Sequence, residues 1–131
     1  MSKILTITLN PDTDTPLYRQ IYDQIIENIA IGNLKEGSAL PSLREMAGVL
    51  DVNYHTVNEA YENLRRDGFI TLSKNKKYTV SLLHNDKLEK QKVMQEIHKS
   101  ILKALALGMR SEEIDRIVRK FMENPSGGMQ Y

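Results

Sequence analysis

The chain has 131 residues, with 18 Lys plus Arg against 17 Asp plus Glu and a formal net charge of +1. That length suits one domain with an appendage or two small modules, and the near-neutral balance confines any nucleic-acid binding to a local surface. The absence of cysteine removes disulfides, thiol catalysis and cysteine-ligated zinc. No apolar run approaches the roughly 18 residues of a membrane span, and the opening MSKILTITL is too short an apolar stretch for a secretory signal. A soluble cytoplasmic protein with no membrane partner is expected.

Residues 1–15 read as a strand and lead-in. Ile4 to Leu9 alternates apolar and polar residues and is rich in threonine, which suits a strand. It has no partner in the nearby sequence, so it either packs on the domain edge or stays loosely held. Asn10 to Pro16 is turn-like. A helix is expected from Leu17 to Ile31, with Leu17, Ile21, Ile25 and Ile29 as a ladder at spacing four. Gly32 and Asn33 end it. Leu34 to Ala39 is a connector turning at Gly37.

The stretch LPSLREMAGVLDVNYHTVNEAYENLRRDGFI, Leu40 to Ile70, reads as two short helices joined by a tight turn. Ser42 with Glu45 three residues later has the spacing of a capping box. Leu43, Met46, Ala47 and Leu50 share one side of the first helix, and Val57, Ala60, Tyr61 and Leu64 one side of the second. Asp51, Val52 and Asn53 make the turn, and Asn53 caps the second helix. Gly68 ends that helix. Phe69 to Ser73 and Tyr78 to Leu82 then form two strands around the polar turn Lys74, Asn75, Lys76 and Lys77. Three helices followed by such a hairpin make a winged helix-turn-helix, spanning 16–83.

After a polar hinge at His84 to Lys87, a long helix runs to about Leu107 and stops at Gly108. Ser111 is expected to cap a final helix through about Glu123, and the segment from Asn124 is expected to be disordered. Met94, Ile97, Ile101 and Leu105 mark one face of the long helix. Ile114, Ile117, Val118 and Phe121 mark one face of the last. A two-helix hairpin cannot bury both faces against itself, so 84–123 is read as a homodimerisation element. The alternative is that it folds back on the winged domain.

A helix-turn-helix places its second helix in the DNA major groove. The side of that helix away from its core stripe carries His55, Asn58, Glu59 and Glu62. Asn58 has the chemistry to read adenine, and His55 to bond a base or a phosphate. Ser42, Arg44 and Thr56 sit at helix openings and suit phosphate contact. Arg44 instead pairs with Glu45 or Asp51 if it is only a surface residue. Thr56 either touches the DNA backbone or helps cap its own helix, and Asn53 is a cap, a contact or both. Tyr54 donates to a phosphate or packs on the first helix of the pair. Lys74, Lys76 and Lys77 form the only dense positive cluster in the first 83 residues and would reach along the duplex from the hairpin tip.

No Gly-rich nucleotide loop and no H-E-x-x-H is present, and His55, His84 and His98 are scattered. No enzyme activity, cofactor or metal is expected. Double-stranded DNA is the expected partner, and the rival reading is a winged-helix module used for protein contact.

The segments PLYRQIYDQIIENIAIGNLKEGSALPSLREMA and NYHTVNEAYENLRRDGFI, spanning Pro16 to Ile70, resemble the head of GntR-family transcription regulators. The tail segment IHKSILKALALGMRSEEI is similar to that of the YtrA-like subfamily, which dimerises through two C-terminal helices. The resemblance implies a mainly α fold with a small β wing, a dimeric repressor on a palindromic operator, and DNA contacts from Arg44, Thr56 and Asn53 to His55. Many family members carry arginine where Tyr54 stands and a glycine-rich wing tip where Asn75, Lys76 and Lys77 stand. The tail is too small for an enclosed pocket in one protomer, which leaves a small-molecule effector of unidentified chemistry to bind between protomers or between head and tail.

Overall fold

A computed structural model describes residues 6–81 and 87–125. The chain divides into two units, Met1–His84 and Asn85–Tyr131.

In the first unit, helix α1 spans Leu17–Ala30. Pro16 lacks an amide hydrogen but supplies a carbonyl, which accepts from Arg19 and Gln20 at 3.0 and 3.1 Å. Ile21 and Ile25 are fully buried, with Tyr18, Tyr22, Ile26 and Ile29 packed around them. One polar residue, Asn28, is buried on this face. Its Nδ2 donates to the Gln24 carbonyl at 2.7 Å, and its Oδ1 accepts from Asn33 at 3.1 Å. Its own carbonyl accepts from the Leu34 amide. A buried amide satisfied in this way costs little and folds the chain back after Gly32.

Helix α2, Leu43–Leu50, opens with the expected capping box. Ser42 Oγ accepts from the Glu45 amide at 3.1 Å, and Glu45 Oε1 accepts from the Ser42 amide at 3.2 Å. Asp51 ends α2 in the left-handed region, φ 54°. Asn53 Oδ1 accepts from the His55 amide at 2.8 Å and starts α3, Tyr54–Arg66. Val57, Ala60, Tyr61 and Leu64 of α3 are all completely buried, as their spacing requires. Gly68, at φ 86°, turns the chain out of α3.

Strands β1 (Ile70–Leu72) and β2 (Tyr78–Val80) pair antiparallel, with Ile70 opposite Val80 and Leu72 opposite Tyr78. Both are shorter than the sequence pattern. Lys76 takes the left-handed position of the connecting turn at φ 59°, and its amide bonds the Ser73 carbonyl at 2.9 Å.

The connector before α2 is more than a tether. Ala39 bridges Thr79, the Leu40 amide bonds the Tyr78 carbonyl, and the Val80 amide bonds the Ser38 carbonyl, both at 2.8 Å. Residues 37–40 thus cover the free edge of β2.

The expected strand at Ile4 to Leu9 is not one among the described residues. From Thr6 to Asn10 the chain has no regular secondary structure, and Ile7 and Leu9 pack on the core. Its backbone partners are side chains of α1. Gln24 exchanges two bonds with the Thr8 backbone, at 2.8 and 2.7 Å, and Gln20 two with that of Asn10, at 2.8 and 2.9 Å. The part of that strand in 1–5 lies outside the described residues, as do Leu82 and most of the hinge at His84 to Lys87.

Tyr61 joins the pieces of the head. Its hydroxyl donates to the Pro41 carbonyl at 2.9 Å, and its ring meets Tyr78 edge-on at 4.8 Å between centroids. Burial pushes the Tyr61 phenol above its usual range, so it stays a donor. Tyr22 of α1 makes a second tie, donating to Asp67 at the end of α3 at 2.6 Å.

In the second unit, α4 spans Lys87–Ala106 and α5 spans Ser111–Glu123, with Gly108 between them at φ 91°. Ser111 is not the cap that its residue type implied. Arg110 takes that position, contributing its carbonyl to the Ile114 amide at 3.0 Å, with no side-chain bond. A cap needs extended backbone before a helix, and Arg110 already has it (φ −86°, ψ 153°). Neither helix buries a single residue. Ile97, Ile101, Ala104, Ile114, Ile117 and Val118 line an open apolar groove of ≈ 380 Å³. Residues 126–131, most of the segment expected to be disordered, lie outside the described residues. Among the described residues no helix is long and apolar enough to cross a membrane.

The Tyr61→Phe variant keeps the buried ring but strips the Pro41 carbonyl of its donor. It is expected to lose about 1–2 kcal/mol of stability, read as a lower urea midpoint at unchanged slope.

Candidate nucleic-acid interface

The fold brings the openings of α2 and α3 to one side of the head. Arg44 and Tyr54 line a single open groove together with Ala47, Gly48, Asp51 and Val52. Arg44 is exposed and has no ion pair among the described residues, so neither Glu45 nor Asp51 holds it. Tyr54 is 45 % exposed, its ring edge-on to His55 at 5.8 Å. It is not buried against α2, and its hydroxyl makes no hydrogen bond among the described residues.

Ser42 and Asn53 serve first as caps. Each spends its side-chain oxygen on a backbone amide, which leaves the Ser42 hydroxyl proton and the Asn53 amide hydrogens for a ligand. Thr56 does not cap α3. Its hydroxyl makes no hydrogen bond among the described residues, while its amide bonds the Asn53 carbonyl. Asn58 is half-buried on the flank of α3, and His55 is exposed.

The wing tip carries Lys74, Lys76 and Lys77, all exposed and free of ion pairs among the described residues. Two hydrogen bonds between Ser73 and Lys77 fix this tip, one from the Ser73 amide to the Lys77 carbonyl at 2.9 Å and one from the Lys77 amide to the Ser73 side-chain Oγ at 3.1 Å.

The residues from 16 to 83 carry eight basic and eight acidic side chains, so their placement decides whether a positive surface exists. Arg19 pairs with Asp23, Arg65 with Glu62 and Arg66 with Asp67. The cations left over include Arg44 and the three wing lysines. Among the described residues, no group of three or more His, Cys, Asp or Glu is placed to hold a metal.

The sequence pattern did not reveal the groove shared by Arg44 and Tyr54. Arg44 lies on α2 and Tyr54 opens α3, ten residues later. No periodicity links them, and the turn between the two helices passes through Asp51 in the left-handed region.

The family model described as bacterial regulatory proteins, gntR family, matches residues 17–80. The transcriptional repressor YtrA of Bacillus subtilis (strain 168) is 29% identical over 125 residues, 93% of this chain and 96% of that protein. The solved structure of YtrA from Sulfolobus acidocaldarius, a GntR-family transcription factor, is 41% identical. It superposes with a TM-score of 0.61 over 73% of this chain and 97% of that one. A structure described as a transcriptional antiterminator from Listeria monocytogenes EGD-e superposes with a TM-score of 0.79 at 28% identity, over 89% of this chain and 90% of that one. Capped helix pair, covered wing and these matches agree: the chain belongs to the GntR family of bacterial transcription regulators, with the winged helix-turn-helix as its sequence-specific DNA-binding head.

Proposed function

We propose that the protein is a homodimeric repressor that acts by occupying a palindromic operator in the cytoplasm. The observation that carries this reading is the set of cations left unpaired around α3. Arg44 stands at the opening of α2 and three lysines at the wing tip, while α3 keeps His55 and Asn58 accessible. In this reading α3 enters the major groove, with Asn58 and His55 at base edges. Arg44, Tyr54, Thr56 and the free donors of Ser42 and Asn53 hold the phosphates, and Lys74, Lys76 and Lys77 extend the contact along the backbone.

Pairing rests on the second unit. Met94, Ile97, Leu105, Val118 and Phe121 are each more than a third exposed, and Ile101, Ile114 and Ile117 line the apolar groove beside them. Burying apolar surface is worth roughly 25 cal/mol per Å², so a second copy of this hairpin is the natural cover. Two heads then meet two half-sites about one helical turn, roughly 10 bp, apart. Repression is the mode named for the Bacillus subtilis relative.

Selection of bound duplexes from a random pool is expected to return an inverted repeat, and failure to enrich any motif would reject the reading. Arg44→Ala should leave the melting temperature unchanged and weaken operator binding several-fold. It should also reduce the slope of log K against log salt by about two per dimer; an unchanged slope would remove Arg44 from the phosphate contacts. Ile101→Asp should convert the dimer to monomer in sedimentation at micromolar concentration, and a dimer of undiminished affinity would place the seam elsewhere.

A further inference from the structure

The outward side of α3 carries a free carboxylate and no free guanidinium. His55, Glu59 and Glu62 occupy successive turns of this side, all exposed. Glu62 is held by Arg65, whose Nη1 donates to both its oxygens at 3.0 and 3.3 Å. Arg66 lies 3.7 Å from Asp67. Glu59 has neither hydrogen bond nor ion pair among the described residues. It is the sixth residue of α3, about 7.5 Å along the axis from the first at 1.5 Å per residue. That keeps it within the opening turns that reach base edges in helix-turn-helix docking.

A carboxylate in the major groove is surrounded by phosphates and by the acceptors of guanine and thymine. Only exocyclic amino groups offer it a hydrogen: N4 of cytosine and N6 of adenine. The adenine amino group sits between two acceptors, its own N7 and the O4 of the paired thymine. The cytosine amino group has an acceptor, guanine O6, on one side only and a C–H edge on the other. An anion therefore meets less repulsion at cytosine. Leaving Glu59 unbonded in the groove would cost the desolvation of a charge without return.

We propose that Glu59 is a specificity-determining residue that accepts a hydrogen bond from a cytosine amino group in each half-site. The assignment rests on the reading above that α3 enters the major groove. It gives the recognition helix two complementary readers. Asn58, with a donor and an acceptor, suits adenine, and Glu59, with acceptors alone, suits cytosine. It also accounts for a groove-facing side without a free arginine, because a C·G pair is then read from its cytosine strand.

The test is selection from a random duplex pool with the full chain and with the Glu59→Ala and Glu59→Gln variants. The unmodified protein should select a motif with one cytosine per half-site that becomes degenerate in Glu59→Ala while the other positions persist. On the selected operator, changing that C·G pair to T·A should weaken the unmodified protein about tenfold or more. The Glu59→Ala variant should bind both duplexes alike. Glu59→Gln, which gains a donor at constant size, should admit adenine at the same position. Retention of the cytosine by Glu59→Ala would overturn the assignment. So would an equal gain in affinity on selected and unrelated duplexes, since the carboxylate would then only repel phosphate. Failure of the unmodified protein to select any motif would instead overturn groove entry itself.

Discussion

One buried phenol fixes the geometry on which DNA reading depends. Tyr61 belongs to α3, yet its hydroxyl is spent on the carbonyl just ahead of α2 and its ring on the start of β2. A recognition helix must be rigid about its own long axis, because a rotation of one residue's angle, about 100°, would put Asn58, Glu62 and Arg65 at core positions. The Val57, Ala60, Tyr61 and Leu64 stripe resists rotation by burial, which is non-directional. The Tyr61 hydrogen bond adds direction, and Tyr22 adds a second directed bond at the far end of the helix. With α3 held at its middle and at its C-terminal end, the opening of α2 and the wing tip are placed relative to it.

That placement sorts the charges. An equal count of acids and bases would make a poor surface for a polyanion if they were mixed. Acids near α1 and the end of α3 are instead matched by neighbouring arginines, within four residues in each case. Pairing at that range leaves Arg44 and the three wing lysines without ion pairs among the described residues. The field is local and of short range at physiological salt, consistent with a chain whose total charge is near zero. The second unit follows a different rule. Its helices were legible as amphipathic, and neither of them buries a residue within the unit.

Much of the head could be read before any coordinates, because its signals are local. The Ser42 and Glu45 spacing, the Asn53 cap and the four-residue core stripe each act within one or two helical turns. The parts that could not be read involve partners far apart or of an unusual kind. The bridge from Ala39 to Thr79 joins residues forty positions apart, and nothing in the connector alternates like a strand. The unpaired state of Arg44 depends on where Glu45 and Asp51 point, and Glu45 is already committed to its capping box. At the second helix of the tail, Ser111 has the residue type of a cap, but the backbone of Arg110 had already turned. Residue preference yields there to dihedral angle.

The segment before α1 illustrates a bond pattern that hydropathy cannot register. Gln20 and Gln24 lie about one helical turn apart, a rise of about 6 Å for four residues at 1.5 Å per residue. Thr8 and Asn10 lie two residues apart, a step that would span roughly 6.8 Å in a fully extended strand. The near match lets a helix surface act as the edge of a sheet, each amide giving one hydrogen and taking another. Glutamate in either place would offer only acceptors and leave a carbonyl bare, and lysine would offer only donors. Asparagine has the chemistry but lacks a methylene of reach. Two positions that look like freely replaceable surface are therefore chemically narrow, and a substitution there would release the lead-in and with it the cover that Ile7 and Leu9 give the core.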